Sequence, residues 1–124
     1  MPVTAKSLLE AANAVVPKIS GKEAIEMAAK GALVVDVRDG TEVAASGKAA
    51  GAIHVSRGLL EFKADPTSPT ADKSFSPDKT VVLYCGSGGR AALAGKLLKD
   101  MGYEKVFNAG GFKDWVEAGG KVEK

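Results

Sequence analysis

The chain has 124 residues, 45% of them hydrophobic and 26% charged, as is typical of one globular domain. Its 17 lysines and arginines against 15 acidic residues leave a net charge of +2, too small to indicate nucleic-acid binding. No apolar run predicts a signal peptide or a membrane span, so we expect a cytoplasmic protein that does not bind membranes. A single cysteine, Cys85, excludes an internal disulfide, and with a single histidine it argues against a Cys/His zinc site.

The first third of the chain predicts two helices ahead of a buried strand. Thr4 can cap a helix over residues 5–16, whose apolar residues recur on one face. The capping box in residues 20–23 begins a second helix, which ends near Gly31. Residues 33–37 are apolar and mostly β-branched, as in a buried strand. We expect one domain over residues 1–124, with residues 1–19 as a helical extension and residues 20–120 as the core.

The middle of the chain predicts short elements and one long loop. A second capping box in residues 39–42 begins a helix, and residues 52–55 form a strand. After a helical turn over residues 59–63, residues 64–78 contain three prolines among polar residues and indicate a surface loop. A loop of this length suggests mobility or a cover over an active site.

The last third of the chain predicts two strands and two helices. Residues 80–84 form the clearest strand, and the helix that begins at Arg90 ends before Gly102. A short strand over residues 106–108, a Gly110-Gly111 turn and a final helix over residues 112–118 follow. This alternation predicts an α/β fold of three layers, with a mostly parallel central sheet and helices on both faces.

Cys85 stands where the clearest strand ends and a helix follows, which is where ligands bind in open α/β sheets. Three of the four residues between Cys85 and Arg90 are glycines, whose freedom at positive φ lets successive amides turn toward one centre. The helix N-terminus, and the Arg90 guanidinium if it points toward the loop, would favour a thiolate or persulfide at the mouth of the loop. The alternative is a buried cysteine that only fills space at a strand end. A nucleotide P-loop is a poor alternative because its G-x-x-x-x-G-K-[ST] pattern is absent.

Four motifs together resemble the rhodanese-domain sulfurtransferases, over nearly the whole chain after Ser20. The segment Cys85-Gly86-Ser87-Gly88-Gly89-Arg90 resembles the C-x-x-G-x-R active-site loop of that family. The other three are Leu33-Val34-Val35-Asp36-Val37-Arg38, Gly51-Ala52-Ile53-His54-Val55, and Gly110-Gly111-Phe112 with Trp115, which resemble its LLDVR, GAIHV and GGFxxW segments.

The resemblance implies a three-layer rhodanese-like fold and an enzyme that moves sulfane sulfur from a small anionic donor such as thiosulfate to cyanide or a thiol, the latter also on a protein. It implies a covalent persulfide on Cys85, no cofactor and no metal, in a monomer or weak dimer. Asp36 and Arg38 are expected to give structural support, and His54 is interpreted as a strand residue. The catalytic residue would be Cys85, and the substrate-binding residues Gly86, Ser87, Gly88, Gly89, Arg90, Ala91 and Arg57.

Several alternatives stay open at this stage. Arg57 is equally well interpreted as a solvated surface arginine. Ala91 replaces a serine or threonine that is frequent in the family, and Gly47-Lys48-Ala49-Ala50 departs from its usual Gly-His segment. A non-catalytic binding module of the same fold is one rival. A cysteine-dependent phosphatase or arsenate reductase is another, although related phosphatases have a longer loop between cysteine and arginine.

Overall fold

The structure, a computed structural model, describes residues 2–124 of the chain. Its α-helices are α1 (Ala5–Val15), α2 (Gly21–Ala29), α3 (Gly40–Ser46), α4 (Leu60–Ala64), α5 (Gly89–Asp100) and α6 (Phe112–Glu117). Its strands are β1 (Leu33–Asp36), β2 (Lys48–Ala49), β3 (Ile53–His54), β4 (Val81–Cys85), β5 (Val106–Gly111) and β6 (Val122–Glu123). A short 3₁₀ helix, Arg57–Leu59, leads directly into α4.

Strands β3, β1, β4 and β5 lie side by side in that order and form a parallel sheet. Every residue of β4 is buried, as is typical of a parallel strand that is covered on both faces. The predicted α/β fold with a mostly parallel central sheet is therefore confirmed. The sheet order brings the carboxyl ends of β1, β3 and β4 to one edge, where Cys85 ends β4.

A hydrophobic core lies on each face of the sheet because alternate residues of a strand point to opposite faces. On one face Leu83 packs in a cluster with Leu60 of α4 and Leu98 of α5. On the other face Val82 belongs to a cluster that includes Trp115 of α6. Burying each large apolar side chain contributes roughly 1.5–3 kcal/mol, so both helix layers stabilise the sheet.

Helix α1 packs against the fold rather than projecting from it. Thr4 caps the helix through its side chain, and Val16, which follows the helix, is 1% exposed within the core. A Cβ on Gly95 of α5 would come within 2.8 Å of the Val16 side chain, so this glycine permits the close approach of the two segments. The segment after α1 then runs beside β5, because the amide of Ile19 donates to the carbonyl of Asn108.

Near the end of the chain one prediction is wrong and one pair of strands was missed. Gly110 and Gly111 belong to strand β5 and do not form a free turn, because Gly111 pairs with Cys85 of β4. Strands β2 and β6 form a small antiparallel sheet that was not predicted, and it is joined by an ion pair between Lys48 and Glu123. Strand structure therefore continues to Glu123, in residues that are exposed.

The long segment before β4 is joined to the core through Phe75 and Tyr103. Phe75 is 7% exposed and meets the Tyr103 ring edge-on, with the ring centroids 6.3 Å apart. The Tyr103 hydroxyl donates to the carbonyl of Ala64, 2.8 Å away, at the start of the same segment. Within residues 2–124 no helix combines the length and the apolar character that crossing a membrane requires.

Candidate active site

Cys85 lies at the floor of the loop that joins β4 to α5, and not at its mouth as predicted. The residue is 1% exposed, whereas the next two residues, Gly86 and Ser87, are exposed. The burial follows from the sheet, because the last residue of β4 still pairs with Gly111 of β5. Cys85 is therefore almost wholly covered, and the residues that are exposed beside it are Gly86 and Ser87.

Two backbone amides converge on the Cys85 sulfur. The amide of Gly88 donates to Sγ at 3.0 Å and the amide of Ala91 at 3.4 Å. The prediction placed amides from the whole Gly86–Ala91 segment around the sulfur, and the observed set of donors to Sγ is these two. N–H dipoles that point at sulfur stabilise negative charge on it, since an anion is the stronger hydrogen-bond acceptor.

The conformation of Gly88 explains why the loop can aim its amides. Gly88 has a φ of +101°, a value that residues with a side chain rarely adopt. A Cβ at this position would also lie only 3.3 Å from the backbone of Gly110. Asn108, itself 1% exposed, donates from Nδ2 to the Gly88 carbonyl at 3.0 Å and accepts at Oδ1 from the Gly110 amide at 2.8 Å. Asn108 thereby holds the peptide that follows Gly88 against the end of β5.

The base of the loop touches β5 directly. A Cβ on Gly111 would overlap the carbonyl oxygen of Gly86, so only glycine fits between the two backbones. Phe112 and Trp115 follow immediately in α6, and this helix anchors the end of β5 in the core. The Gly-Gly-Phe segment thus has a steric function beside the cysteine loop.

Arg90 faces a carboxylate. Its Nη1 lies 2.7 Å from Oε2 of Glu42 and its Nη2 lies 3.0 Å from Oε1, which is a bidentate ion pair. The bonds from Arg90, followed by the backbone bond from Asp39, lower the pKa of Glu42 from 4.5 to about 2. The same hydrogen bonds raise the pKa of Arg90, so both groups are charged near neutral pH. The guanidinium lies beside Gly86 of the loop and is paired with Glu42, a residue that had not been assigned any part in the site.

A buried polar network fixes the helix that carries Glu42. Asp36 accepts from Nη2 of Arg38 at 2.7 Å and from the Tyr84 hydroxyl at 2.6 Å. Arg38 also donates to the carbonyl of Gly47 at 2.7 Å, just after α3 ends, and its guanidinium lies 4.4 Å from the centre of the Phe112 ring. Burial, followed by the bond to Asp36, raises the pKa of Tyr84, so its hydroxyl stays a donor. Asp36 and Arg38 thus connect β1 to Tyr84 of β4 and to the residue that follows α3.

Arg57 and His54 lie at the same edge of the sheet with different surroundings. Nη1 of Arg57 approaches Oε1 of Glu61 at 3.3 Å, while its Nε is buried without a hydrogen-bond partner. His54 is half-buried, and its Nε2 lies 2.7 Å from the carbonyl oxygen of Arg38. The guanidinium of Arg57 is therefore less firmly paired than that of Arg90. The Nε2 atom of His54 is already bound to a backbone carbonyl.

Comparison with known proteins identifies the family to which the chain belongs. The sequence profile of the rhodanese-like domain matches residues 20–118. The chain belongs to the rhodanese-like domain family. The thiosulfate sulfurtransferase GlpE of Haemophilus influenzae is 32% identical over 105 residues, which cover 82% of this chain and 89% of that protein. The thiosulfate sulfurtransferase PspE of Escherichia coli is 50% identical over 40 residues, which cover 31% of this chain and only 38% of that protein. The chain is a rhodanese-type enzyme.

Solved structures agree with this rhodanese assignment. The polysulfide-sulfur transferase homodimer of Wolinella succinogenes is 35% identical, with a TM-score of 0.76 over 95% of this chain and 85% of that one. A protein of unknown function from Rhodopseudomonas palustris, called a possible tyrosine phosphatase, is 40% identical, with a TM-score of 0.87 over 99% of both chains. The same fold therefore occurs in proteins whose descriptions name different reactions. The geometry of the site is needed to choose between these reactions for this chain.

A groove beside the rhodanese loop was not predicted. It has a volume of about 650 Å³ and lies behind Ser87–Gly89, between α1 and the start of α2. Cys85 does not line this groove, which therefore lies next to the sulfur loop and not over the sulfur.

Three residues that shape the site were missed as site residues. Glu42 was recognised from its capping-box spacing, which does not show that Arg90 is its partner. Asn108 was assigned only to a strand, and Gly111 to a turn. Their roles come from contacts between segments far apart in the chain.

Proposed function

We propose that this rhodanese is a sulfurtransferase that carries sulfane sulfur as a persulfide on Cys85. The proposal is carried by one observation, the convergence of the Gly88 and Ala91 amides on Sγ at the end of the central strand. Amides fixed in this way stabilise an anionic sulfur without having to reorganise, as in an oxyanion hole. The remaining amides of the Gly86–Ala91 loop would serve the outer sulfur atom, which extends beyond Sγ.

The first half-reaction loads the enzyme. The Cys85 thiolate attacks the outer sulfur of a donor such as thiosulfate, and a new S–S bond forms as the old S–S bond breaks. Sulfite leaves with the electron pair of the broken bond, and the negative charge of the persulfide stays on the outer sulfur. The loop amides stabilise that charge, so no cofactor or metal is required for the step.

The second half-reaction returns the enzyme to its starting state. Cyanide or a thiolate attacks the outer sulfur, the S–S bond to Cys85 breaks, and Sγ leaves as a thiolate. The product is thiocyanate or a new persulfide. Because the two amides already point at Sγ, they stabilise the leaving sulfur as its charge develops.

A phosphatase is the second candidate, since one similar structure is described as a possible tyrosine phosphatase. Two features favour sulfur transfer. Only four residues separate Cys85 from Arg90, which encloses a smaller space than a phosphate group needs. The Arg90 guanidinium, which would clamp phosphate oxygens, already binds Glu42 at both Nη atoms.

The test is to incubate the protein with excess thiosulfate and to measure the intact mass. We expect the wild type to gain one sulfur atom, to lose it on addition of cyanide and to release thiocyanate. The Cys85→Ser variant should gain nothing. A wild type that gains no sulfur, or a variant that gains as much, contradicts the proposal. Hydrolysis of an aryl phosphate by the wild type but not by Cys85→Ser would support the phosphatase instead.

A further inference from the structure

The ion pair between Arg90 and Glu42 uses the hydrogen-bonding edge that an anionic substrate would otherwise occupy. Both Nη atoms of Arg90 are bound by the two carboxylate oxygens of one residue. Asp39 adds a second carboxylate, with Oδ2 at 3.9 Å from Nη1. The Arg90 guanidinium thus has two carboxylates beside it. The net charge of these three groups is negative, which is unfavourable for binding a dianion.

Glu42 is held in place and does not rotate freely as a surface carboxylate would. Its Oε2 also accepts from the Asp39 amide at 3.0 Å, which ties it to the start of α3. At the other end of α3, Arg38 donates to the Ser46 hydroxyl at 2.9 Å and to the carbonyl of Gly47. Because both ends of the helix are fixed, the carboxylate is preorganised toward Arg90.

The pair lies against the exposed side of the sulfur loop. A Cβ built on Gly86 would be 3.0 Å from Nη2 of Arg90 and 3.5 Å from Oε1 of Glu42. Gly86 directly follows Cys85 and is exposed. A donor that approaches Cys85 past Gly86 therefore lies beside the carboxylate as well as the guanidinium.

We propose that Glu42 is a specificity-determining residue, which withholds Arg90 from dianions and makes the loop prefer a sulfur donor with a single negative charge. The donor class is then the persulfide of a small thiol, a monoanion, in preference to thiosulfate, a dianion that loads the enzyme only at high concentration. This inference rests on the proposed function of Cys85. It adds a role for Glu42, which acts through Arg90 and does not touch the reacting atoms.

The direct test is a titration with inorganic sulfate, which resembles the sulfonate end of thiosulfate and transfers no sulfur. Binding is followed through the Arg90 Nε–H and loop amide resonances in the wild type and in Glu42→Gln. Glutamine keeps the length of the side chain and can still accept from the Asp39 amide, but it removes the charge. We expect sulfate to bind Glu42→Gln at least about tenfold more tightly than it binds the wild type. The reason is that the Arg90 guanidinium, no longer paired with a carboxylate, can donate to the sulfate oxygens.

The matched control is Glu23→Gln. Glu23 occupies the same capping-box position in α2, where it accepts from the Ser20 amide at 2.9 Å, and no arginine is bound there. Its sulfate affinity should stay within about twofold of the wild type, as for other exposed charges. Equal sulfate affinity in Glu42→Gln and the wild type would overturn the inference. If Glu42→Gln does not fold, Glu42→Asp serves instead, because the shorter aspartate side chain cannot reach both Nη atoms of Arg90. The Glu42→Asp variant should still bind sulfate more tightly than the wild type.

Loading kinetics separate a specificity role from a structural one. For thiosulfate, Glu42→Gln should lower KM about tenfold and leave kcat within about twofold, while loading by cysteine persulfide, whose net charge is −1, changes little. A fall in kcat for both donors at unchanged KM would indicate a structural role and contradict the inference. Absence of sulfur on Cys85 with either donor would refute the proposed function, whereas the sulfate titration judges Glu42 independently.

Discussion

Replacing Asn108 by alanine tests whether the loop is held by its neighbour strand. The side chain makes two hydrogen bonds, to the Gly88 carbonyl and from the Gly110 amide, and it is 1% exposed. The Gly88 carbonyl still accepts from the Ala92 amide after the substitution, whereas the Gly110 amide loses its side-chain acceptor. Leaving a buried partner unsatisfied costs about 1–3 kcal/mol, which for a domain of this size lowers Tm by roughly 4–12 °C.

The same substitution should impair loading of sulfur. Without Asn108 the Gly88 carbonyl keeps only the bond from the Ala92 amide, so the loop loses its tie to the end of β5 and the Gly88 amide is held less firmly toward Sγ. Removing one oxyanion-hole donor outright costs about 10²–10³ in rate, so a misaligned donor predicts a loss of roughly tenfold.

The assay combines thermal unfolding with the rate at which thiosulfate adds sulfur to Cys85. Asn13→Ala is the control, because Asn13 is an exposed residue of α1, and it should match the wild type in both measurements. A variant at Asn108 that melts earlier but loads sulfur at the wild-type rate, measured well below its Tm, would refute the reasoning about loop alignment.

Three further predictions follow from the packing and charge of the site. Gly111→Ala should abolish the native fold or displace the Gly86–Ala91 loop, as measured by circular dichroism and by the addition of sulfur to Cys85. The control is Gly58→Ala, where a Cβ meets no atom within 4 Å, and it should behave as the wild type. Tyr84→Phe removes a buried donor to a carboxylate and should lower the free energy of unfolding in urea by about 1–3 kcal/mol. The folded-state pKa of Glu42 lies near 2, below its ordinary 4.5, so its pairing stabilises the protein above about pH 4.5 and is lost as the pH falls toward 2. An NMR titration of the Glu42 carboxyl carbon should show this low midpoint, and the midpoint should return toward the ordinary value in Arg90→Ala.

The elements around the cysteine were predictable because they depend on local patterns. The β4 strand is an unbroken apolar run, and α5 repeats its apolar residues at helical spacing. The step from Cys85 into three glycines marks a tight turn between a strand and a helix whatever the rest of the chain does. The parallel arrangement followed from the alternation of strands and helices.

The remaining features depend on contacts between distant segments. The Gly110-Gly111 pair has the local signature of a turn, but pairing with the end of β4 keeps Gly111 in a strand. Strands β2 and β6 are two residues long, too short to show an alternating pattern. The Glu42 partner of Arg90 lies 48 positions away in the chain, and its position depends on the placement of α3. The same pairing of β4 with β5 buries Cys85, which no local pattern reveals.

The most direct test of the account is the state of the loop amides before and after sulfur is bound. We expect loading with thiosulfate to move the amide proton resonances of the Gly86–Ala91 segment, Gly88 and Ala91 among them, and cyanide to return them to their starting positions. A protein whose mass shows the added sulfur while these resonances stay unchanged would contradict the claim that main-chain amides hold the sulfur anion.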